Sequence, residues 1–510
     1  MELVKKPVRS YRTIETREPE EMFEHSIIVP DIKPDVKTIL LADAEAFVIN
    51  VEKTGRMIEV SGEIQYRILY LADTPEPRIE SINARYPWSF SLQKPKTEGD
   101  VGVFPRCRCQ HTEVNIANGR KLVCRTVTSL ICRFYEIKSD EIGREILGEN
   151  VFLKTSPVNV ISLKQNTNNV VKVSDILSLP SGSPAIKEIL FSRVNLGNAE
   201  INYRDDDVFL EAKGTLFVLY RSDTMDESFE SVVLEFPVRT SAGIDAAEDA
   251  IIFATNVLKD WELRIVEDDD GLNTRLSIAM EVEIDAQTVA NEEQVFIEDA
   301  YCCDCQMNLN KSKINVITDE RDFREDHVLT QRIRLDSLDD YLDEVLMVFA
   351  NERNTASMIN GDKLNIQGTI GANILYCTRQ KQYQGYMSEL PFTHSINLSD
   401  SGNWQVIQSG FTIEDVRFDI AGSDEIELSI KVKIRARACR IEELLCVDGI
   451  NAVKDDNPRK APIIVYFAQP NDTLWDVAKN YRVPISKLAS DNGLEADAKL
   501  ETGKRLFIMA

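Results

Sequence analysis

The residues with the most specific chemistry in this 510-residue chain are ten cysteines and four histidines. Two groups of cysteines are close in sequence, Cys107 with Cys109 and Cys302 with Cys303 and Cys305. Structural zinc sites usually use two separated pairs of ligands, but no second pair follows here and the histidines lie far apart. We therefore expect no metal and free thiols. Because Cys302, Cys303 and Cys305 crowd together, they are candidates for oxidative cross-links in a late assembly.

Motifs of the common enzyme classes are missing from the sequence. It contains no G-x-x-x-x-G-K-[ST], G-x-S-x-G or H-E-x-x-H, and no strand-linked G-x-G-x-x-G. The acidic runs 205–207 and 268–270 could offer oxygen ligands to calcium, but they lack the spacing of a calcium-binding loop, and solvated turns are the simpler interpretation. We expect a protein without enzymatic activity and without a cofactor.

The charge of the chain limits its partners. The formal net charge is −25, which disfavours nucleic acid and anionic membranes. No stretch approaches 18 apolar residues, and no apolar segment of a secretory signal follows the N-terminal residues. We expect a cytoplasmic protein that does not insert into membranes and whose partner is neutral, basic or another protein.

Internal repetition is the strongest signal of domain organisation. Three segments share an apolar start, small central residues and a Leu-Tyr end; they are 58–70, 208–220 and 364–376. An earlier motif recurs in the same register at 34–40, 184–190 and 340–346, although the third copy lacks the first proline. A period of about 150 residues indicates tandem domains rather than a solenoid.

The repeats have the pattern of β-strands. Apolar and polar residues alternate strictly over 276–285 and 428–435, and Asn-Gly or Asp-Gly turns separate such runs. The segment 245–260 fits either helix or strand, and the polar segments 155–169 and 311–326 suggest connections. We predict a mainly β protein with three tandem antiparallel β-sandwich-like domains, followed by a small β-α-α-β domain. The predicted boundaries are 1–26 for an N-terminal extension, 27–150, 170–302 and 328–446 for the repeats, 447–461 for a linker and 462–510 for the last domain.

The last fifty residues follow a different pattern. A short strand at 463–466 precedes Thr473 and Asp476, which fit a helix-capping box. A second helix is predicted at 485–490 and a closing strand at 506–508.

This order resembles a LysM domain, and so do the residues 472–478 (DTLWDVA), Asn492 and 503–506 (GKRL). Asn471 departs from the glycine usual in that family. The resemblance implies binding of N-acetylglucosamine polymers or of a protein in a shallow groove. The groove residues it implies are Pro470, Asn471, Asp472, Thr473, Leu474, Asn492, Gly493 and Leu494.

The whole layout resembles the SipL-type spore coat assembly proteins, in which SPOCS repeats precede a LysM domain. That resemblance implies a mother-cell cytoplasmic scaffold at the forespore surface. Its LysM domain would bind the coat ATPase, stage IV sporulation protein A, and its repeats would tether other coat proteins, with self-association left open. The alternative function is LysM-mediated binding of peptidoglycan or chitin.

The charge of the C-terminal domain favours the protein partner. Residues 461–510 carry six basic and six acidic side chains, so the net charge of −25 lies entirely on the preceding residues. A neutral domain on an acidic body suits docking, and Leu474, Ile485 and Leu494 are candidate apolar anchors.

Overall fold

The structure is a computed structural model that describes residues 1–97, 100–204, 207–245, 250–335, 341–454 and 463–509. Antiparallel strands dominate, and a β-α-α-β segment ends the chain, which confirms the predicted fold class. Among the described residues, no helix is both long and apolar enough to cross a bilayer.

The strands occur in three successive groups. The first group is β1 (Glu2–Arg17), β2 (Glu20–Ile28), β3 (Val36–Thr54), β4 (Met57–Ala72), β5 (Ile79–Gln93), β6 (Val101–Asn118) and β7 (Lys121–Leu147). The second is β8 (Val151–Ser178), β9 (Ile186–Leu196), β10 (Glu200–Arg204), β11 (Asp207–Ser222), β12 (Phe229–Asp245), β13 (Ile251–Val266) and β14 (Arg275–Cys302). The third is β15 (Cys305–Arg334), β16 (Leu342–Asn360), β17 (Lys363–Thr378), β18 (Tyr383–Asn397), β19 (Trp404–Ile420) and β20 (Glu425–Lys454). The C-terminal module is β21 (Ile463–Phe467), α1 (Leu474–Tyr481), α2 (Ile485–Asp491) and β22 (Arg505–Met509).

Each group folds as two antiparallel sheets around its own core. One sheet is β3-β4-β5 in the first repeat, β9 and β10 with β11 and β12 in the second, and β16-β17-β18 in the third. The other sheet is centred on β7, β14 or β20, which pair with a strand on either side. The alternating residues of these central strands point inward; Leu276, Ile278 and Val282 are at most 1% exposed. One apolar cluster therefore fills each repeat.

The Leu-Tyr pairs divide their side chains between two environments. Tyr70, Tyr220 and Tyr376 lie at equivalent places in β4, β11 and β17 and belong to the core of their own repeat. The preceding leucines point the other way because neighbouring strand residues face opposite sides of a sheet. Leu69, Leu219 and Leu375 meet in a single cluster shared by all three repeats. The repeated dipeptide thus stabilises both the repeat and the contact between repeats.

The third tyrosine makes a different hydrogen bond from the other two. The hydroxyl groups of Tyr70 and Tyr220 donate to the carbonyl oxygens of Pro34 and Pro184, at 3.0 and 3.1 Å. The hydroxyl group of Tyr376 instead donates to the Gln384 side chain at 2.8 Å. Residue 340, which corresponds to Pro34 and Pro184 in the third copy of the motif, lies outside the described residues.

The small central residues of the repeated segment allow an aromatic ring to cross the strand. In each repeat a glycine pairs with an aromatic residue of the neighbouring strand; the pairs are Gly62–Trp88, Gly214–Phe236 and Gly368–Phe392. A Cβ atom on Gly368 would lie 2.4 Å from the Phe392 ring, which is too close for any side chain. The glycine is therefore required by packing at this position.

Three long ribbons extend beyond the repeats. β7, β8, β14, β15 and β20 have 27 to 30 residues each. Their outer halves form the pairs β1–β7, β8–β14 and β15–β20. Apolar residues of all three ribbons pack together in successive layers, one of which contains Val8, Val160, Phe296, Val316 and Cys446. We call these outer halves the stalk; they are residues 2–17 with 132–147, 151–164 with 289–302, and 305–320 with 440–454.

The stalk alters several expectations from the sequence. Residues 155–169 and 311–326 are not connections but parts of β8 and β15. Each strand lies at the edge of its sheet, with its polar residues toward solvent and its few apolar residues, such as Val160 and Val316, packed inside the stalk. Residues 1–26, expected to be an extension, contain the paired strands β1 and β2. Residues 251–260 are strand in β13, and residues 447–454 of the expected linker belong to β20, whereas 455–461 lie outside the described residues.

A buried charged junction lies beside the shared leucines. Asp43, Arg193 and Phe349 occupy equivalent positions, each three residues after the end of the motif at 34–40, 184–190 or 340–346. The Asp43 carboxylate is fully buried and pairs with Arg193 and, at 3.2 Å, with Arg67. Asn351 donates to its other oxygen at 3.2 Å, and Arg193 lies over the Phe349 ring. The carboxylate therefore links all three repeats.

The pKa of Asp43 depends on two opposing effects, its burial and the positive charges around it. Burial alone would raise the pKa of Asp43, but the guanidinium groups of Arg193, Arg67 and Arg353 outweigh burial and hold that pKa below its ordinary value. A carboxyl group with a lowered folded-state pKa stabilises the fold above its unfolded-state pKa, about 4. That stabilisation is lost as the pH falls through the folded-state pKa.

We predict that Asp43→Ala destabilises the three-repeat body by about 3–5 kcal/mol, because it leaves buried guanidinium groups without their carboxylate. Chemical denaturation followed by circular dichroism measures the change. Glu24→Ala, which removes an exposed ion pair with Arg125, is the matched control and should shift the midpoint little. Asp43→Asn should also flatten the loss of stability below pH 4. An Asp43→Ala midpoint equal to that of the control would contradict the junction's role.

Candidate binding surface on the C-terminal module

Capping and a small apolar core fold the C-terminal module. The hydroxyl group of Thr473 accepts a hydrogen bond from the Asp476 backbone, and the Asp476 carboxylate accepts one from the Thr473 backbone. This reciprocal pair begins α1, as the sequence predicts. Leu474 and Val477 of α1 pack on Leu506 of β22. The two helices therefore cover one face of the β21–β22 sheet.

The first wall of the predicted groove is formed by residues with different roles. Pro470 and Asn471 are exposed, and Asn471 has a positive φ of 69°, so it provides the turn that glycine would otherwise provide. The Asp472 carboxylate accepts hydrogen bonds from the Tyr466 hydroxyl group at 2.5 Å and the Gln469 backbone at 2.7 Å. Thr473 caps the helix. Its hydroxyl group is thus already engaged within the module.

Leu474 does not reach the surface of this wall. Its side chain is 1% exposed and belongs to the core of the module. The first residue of an amphipathic helix that packs on a sheet can point inward, and Leu474 does so here. We therefore exclude Leu474 as an anchor for a partner.

The second wall is also held by internal contacts. The Asn492 side chain donates to the carbonyl oxygens of Leu488 and Phe507 and accepts from the Phe507 backbone. It thereby ties the end of α2 to β22. Gly493 is exposed with φ of +64°, and Leu494 is half-buried against the module core. A charged substitution of Leu494 would therefore affect folding as well as binding.

The most exposed apolar surface of the module lies on the other face of its sheet. Three residues of β21 and one of β22 are large, apolar and exposed: Ile463 (57%), Val465 (48%), Phe467 (55%) and Met509 (39%). Val465 pairs with Phe507, which is half-buried on the same face. We call these five residues the apolar sheet face. The sequence analysis missed it, although the uninterrupted apolar run 463–467 places apolar side chains on both faces of a strand.

The module is fixed to the end of the stalk by α1 and by Val483, which follows α1. The Asp299 carboxylate of β14 accepts hydrogen bonds from the Trp475 indole at 2.9 Å and from Lys479 at 2.6 and 2.7 Å. Burial would raise the pKa of Asp299, but these bonds hold it below its ordinary value. The Tyr301 hydroxyl group donates to the carbonyl oxygen of Val483 at 2.8 Å. The apolar sheet face stays exposed in this docked arrangement.

The clustered cysteines lie next to this docking contact. Cys302 and Cys305 are buried, at 1% and 8% exposure, and Cys303 is half-buried against the module. Burial and the neighbouring Cys302 raise the pKa of Cys305 to about 12. The thiolate is the reactive form, so this environment does not favour cross-links to another molecule from the folded chain. Among the described residues, no group of histidine, cysteine and acidic side chains is placed to hold a metal ion.

Comparison with known families defines the class of protein. Residues 466–508 match the LysM domain, and residues 342–421 match the SipL, SPOCS domain. No curated protein and no solved structure matches the chain. The chain is a β-repeat protein with a C-terminal LysM domain. More specifically, it carries a SipL-type SPOCS domain, and the two matched domains are binding or structural domains rather than catalytic ones.

We predict that the double substitution Asp299→Ala with Tyr301→Ala releases the LysM domain from the stalk, because it removes the polar contacts to α1 and to Val483. Nuclear spin relaxation of LysM amides measures the effect. In the wild type these amides should tumble with the 57.8-kDa chain, and in the variant they should tumble faster. Equal relaxation in both proteins would contradict the docking contact. Asp269→Ala is the control, since this exposed carboxylate pairs with Arg275 at the opposite end of β14 from Asp299.

We also predict that Cys302 and Cys305 react at least roughly tenfold more slowly with iodoacetamide in the native protein than in urea, because both thiols are buried. Pulse labelling at pH 8 followed by mass spectrometry measures each cysteine separately. Equal rates in the two conditions would show that these thiols are accessible, and would restore the cross-linking hypothesis.

Proposed function

We propose that this protein is a non-enzymatic spore coat scaffold. In this proposal the LysM domain binds the forespore-coating ATPase, stage IV sporulation protein A, and the β repeats tether other coat proteins. The protein would act in the mother-cell cytoplasm at the forespore surface. The combination of a SPOCS domain and a LysM domain supports this role. The shared Leu-Tyr and glycine–aromatic contacts support the assignment of the first two repeats to the same domain type.

The apolar sheet face is the observation that carries the choice of a protein partner. Three large apolar side chains that are about half exposed stand side by side on one strand. Protein interfaces are built around such apolar anchors with a polar rim. Arg505 stacks over Phe507 and supplies part of the rim. A partner that covers this face would remove the apolar area from water.

The predicted groove has fewer side chains available to contact a partner than the apolar sheet face has. The polar side chains of Asp472, Thr473 and Asn492 all have hydrogen-bond partners within the module. A glycan would have to replace these bonds or rely on backbone groups. The LysM match itself supports binding of N-acetylglucosamine polymers as the second candidate function.

The charge distribution supports docking through the module. The LysM region is neutral, whereas the preceding residues carry the entire net charge of −25. Like charges repel other acidic proteins from the body over distances of about a Debye length, roughly 8–10 Å. Contacts are therefore directed to the uncharged module at the end of the stalk.

We predict that Val465→Asp weakens binding to the ATPase by about 2 kcal/mol or more, because it places a charge in the centre of an apolar interface. Calorimetric titration with the purified ATPase measures the affinity. Val233→Asp is the matched control, since Val233 also lies on a strand and is 52% exposed, and it should bind as the wild type does. Circular dichroism checks that both variants are folded.

The same titration distinguishes the two candidate functions. Saturable binding of N-acetylglucosamine oligomers that is unaffected by Val465→Asp, together with no binding of the ATPase, would replace the proposed function with glycan recognition. Equal weakening by Val465→Asp and Val233→Asp would show that general acidity, not the apolar sheet face, governs the interaction.

A further inference from the structure

A cavity of about 400 Å³ lies in the seam between the first and third repeats. β6 and β7 form one wall, and β16 and β19 form the other. Its volume falls within the range of small-molecule sites, about 300–1,000 Å³. No part of the proposed function uses this cavity, which we call the seam cavity.

Cationic groups outnumber carboxylates in its lining. Arg106, Arg108 and Arg133 line it together with Glu18 and Glu352. Arg108 pairs with both carboxylates, at 2.5 Å from Glu18 and 2.7 Å from Glu352. Both carboxylates are thus held by one arginine, which balances only one of their two negative charges.

The second arginine also has partners. Arg133 donates to the Gln408 side chain at 3.1 Å and pairs with the buried Asp285 at 3.3 Å. Its Nε atom and that of Arg108 are buried without a hydrogen-bond partner in the described structure. The seam therefore holds more guanidinium donors than acceptors.

Arg106 is the guanidinium group that remains. Within the part of the chain that the structure describes, it forms neither a hydrogen bond nor an ion pair. Burial lowers its pKa; Glu352 opposes this effect, and the neighbouring Arg108 and Arg133 add to it. Both carboxylates of the lining are bound directly by Arg108, so an anion in the cavity would give Arg106 a direct partner of its own.

The repeat architecture gives no structural reason for an arginine here. Arg106, Thr255 and Gly410 pair with Ile131, Asp285 and Arg435 respectively. The three partners occupy equivalent positions in the central strands β7, β14 and β20. The first buried residue of these strands is 122, 276 or 426, and each partner lies nine residues after it.

The other two repeats thus have a small side chain where the first has Arg106. A Cβ atom on Gly410 would lie 3.8 Å from the Arg106 guanidinium group. That is an ordinary van der Waals distance, so Arg106 lies beside Gly410 without crowding. Thr255 and Gly410 show that the fold is compatible with a small residue at this position.

We propose that the seam cavity binds a small organic anion whose phosphate or carboxylate group pairs with Arg106. Ile131 and Val406 provide apolar walls for the organic part, and the hydroxyl groups of Ser357 and Ser409 lie in the same lining. A bidentate guanidinium contact is the geometry that both anionic groups prefer. Because the site joins two repeats, the bound anion stabilises the seam.

Calorimetric titration of the full chain tests the site with two probes, inorganic phosphate and succinate, each at constant ionic strength. We expect saturable binding of at least one probe. Phosphate alone assigns a phosphate ligand, succinate alone assigns a carboxylate ligand, and binding of both assigns the shared chemistry. Arg106→Thr, which introduces the residue of the second repeat, should weaken binding at least about tenfold. Arg125→Thr removes an exposed arginine that pairs with Glu24, and should bind as the wild type does.

Thermal unfolding separates ligand binding from a structural role of Arg106. Without an added anion, Arg106→Thr should leave the Tm unchanged or raise it, because an unpaired charge is removed. With a saturating anion, only the wild type and Arg125→Thr should gain about 2–4 °C. A lower Tm for Arg106→Thr without anion would overturn the proposal, as would wild-type protein that binds neither probe.

Discussion

The packing of three repeats around one shared set of contacts is the constraint on which the rest of the structure depends. Each repeat sends the leucine of its Leu-Tyr pair into this common cluster. Next to this cluster, the equivalent positions 43, 193 and 349 of the three repeats meet. If all three carried the same charged residue, the charges would repel each other. The chain has instead Asp43, Arg193 and Phe349, which attract each other as an ion pair and a cation over an aromatic ring. The repeats are therefore alike in fold but not interchangeable.

This packing determines where the binding module lies. Because the three repeats pack together, their long antiparallel ribbons extend side by side and bury apolar layers between them. A strand of 28 residues spans roughly 90 Å at about 3.3 Å per residue. Asp299 and Tyr301 lie near the far end of β14 and hold the LysM domain there. The apolar sheet face is thus presented at one end of a long acidic body.

The sequence predicted what depends on local pattern and repetition. The alternation over 276–285 gave the central strand, and the residues around Thr473 and Asp476 gave the capped helix. The stalk could not be predicted in this way, because polar residues outnumber apolar ones in 155–169 of β8, and a mostly polar segment resembles a connection. The charged junction and the seam cavity join residues from different repeats, so neither periodicity nor spacing indicates them. Leu474 was predicted to be a surface anchor but is buried, because its burial depends on how α1 packs on the sheet, which the local sequence does not show.

The central claim is that the three repeats form one cooperative body rather than three independent domains. Differential scanning calorimetry of residues 1–454 tests it most directly, by comparing the calorimetric enthalpy of unfolding with the van't Hoff enthalpy. The shared cluster and the stalk predict a single transition in which the two enthalpies agree. Three separable transitions, each with its own midpoint and about a third of the total enthalpy, would contradict the account.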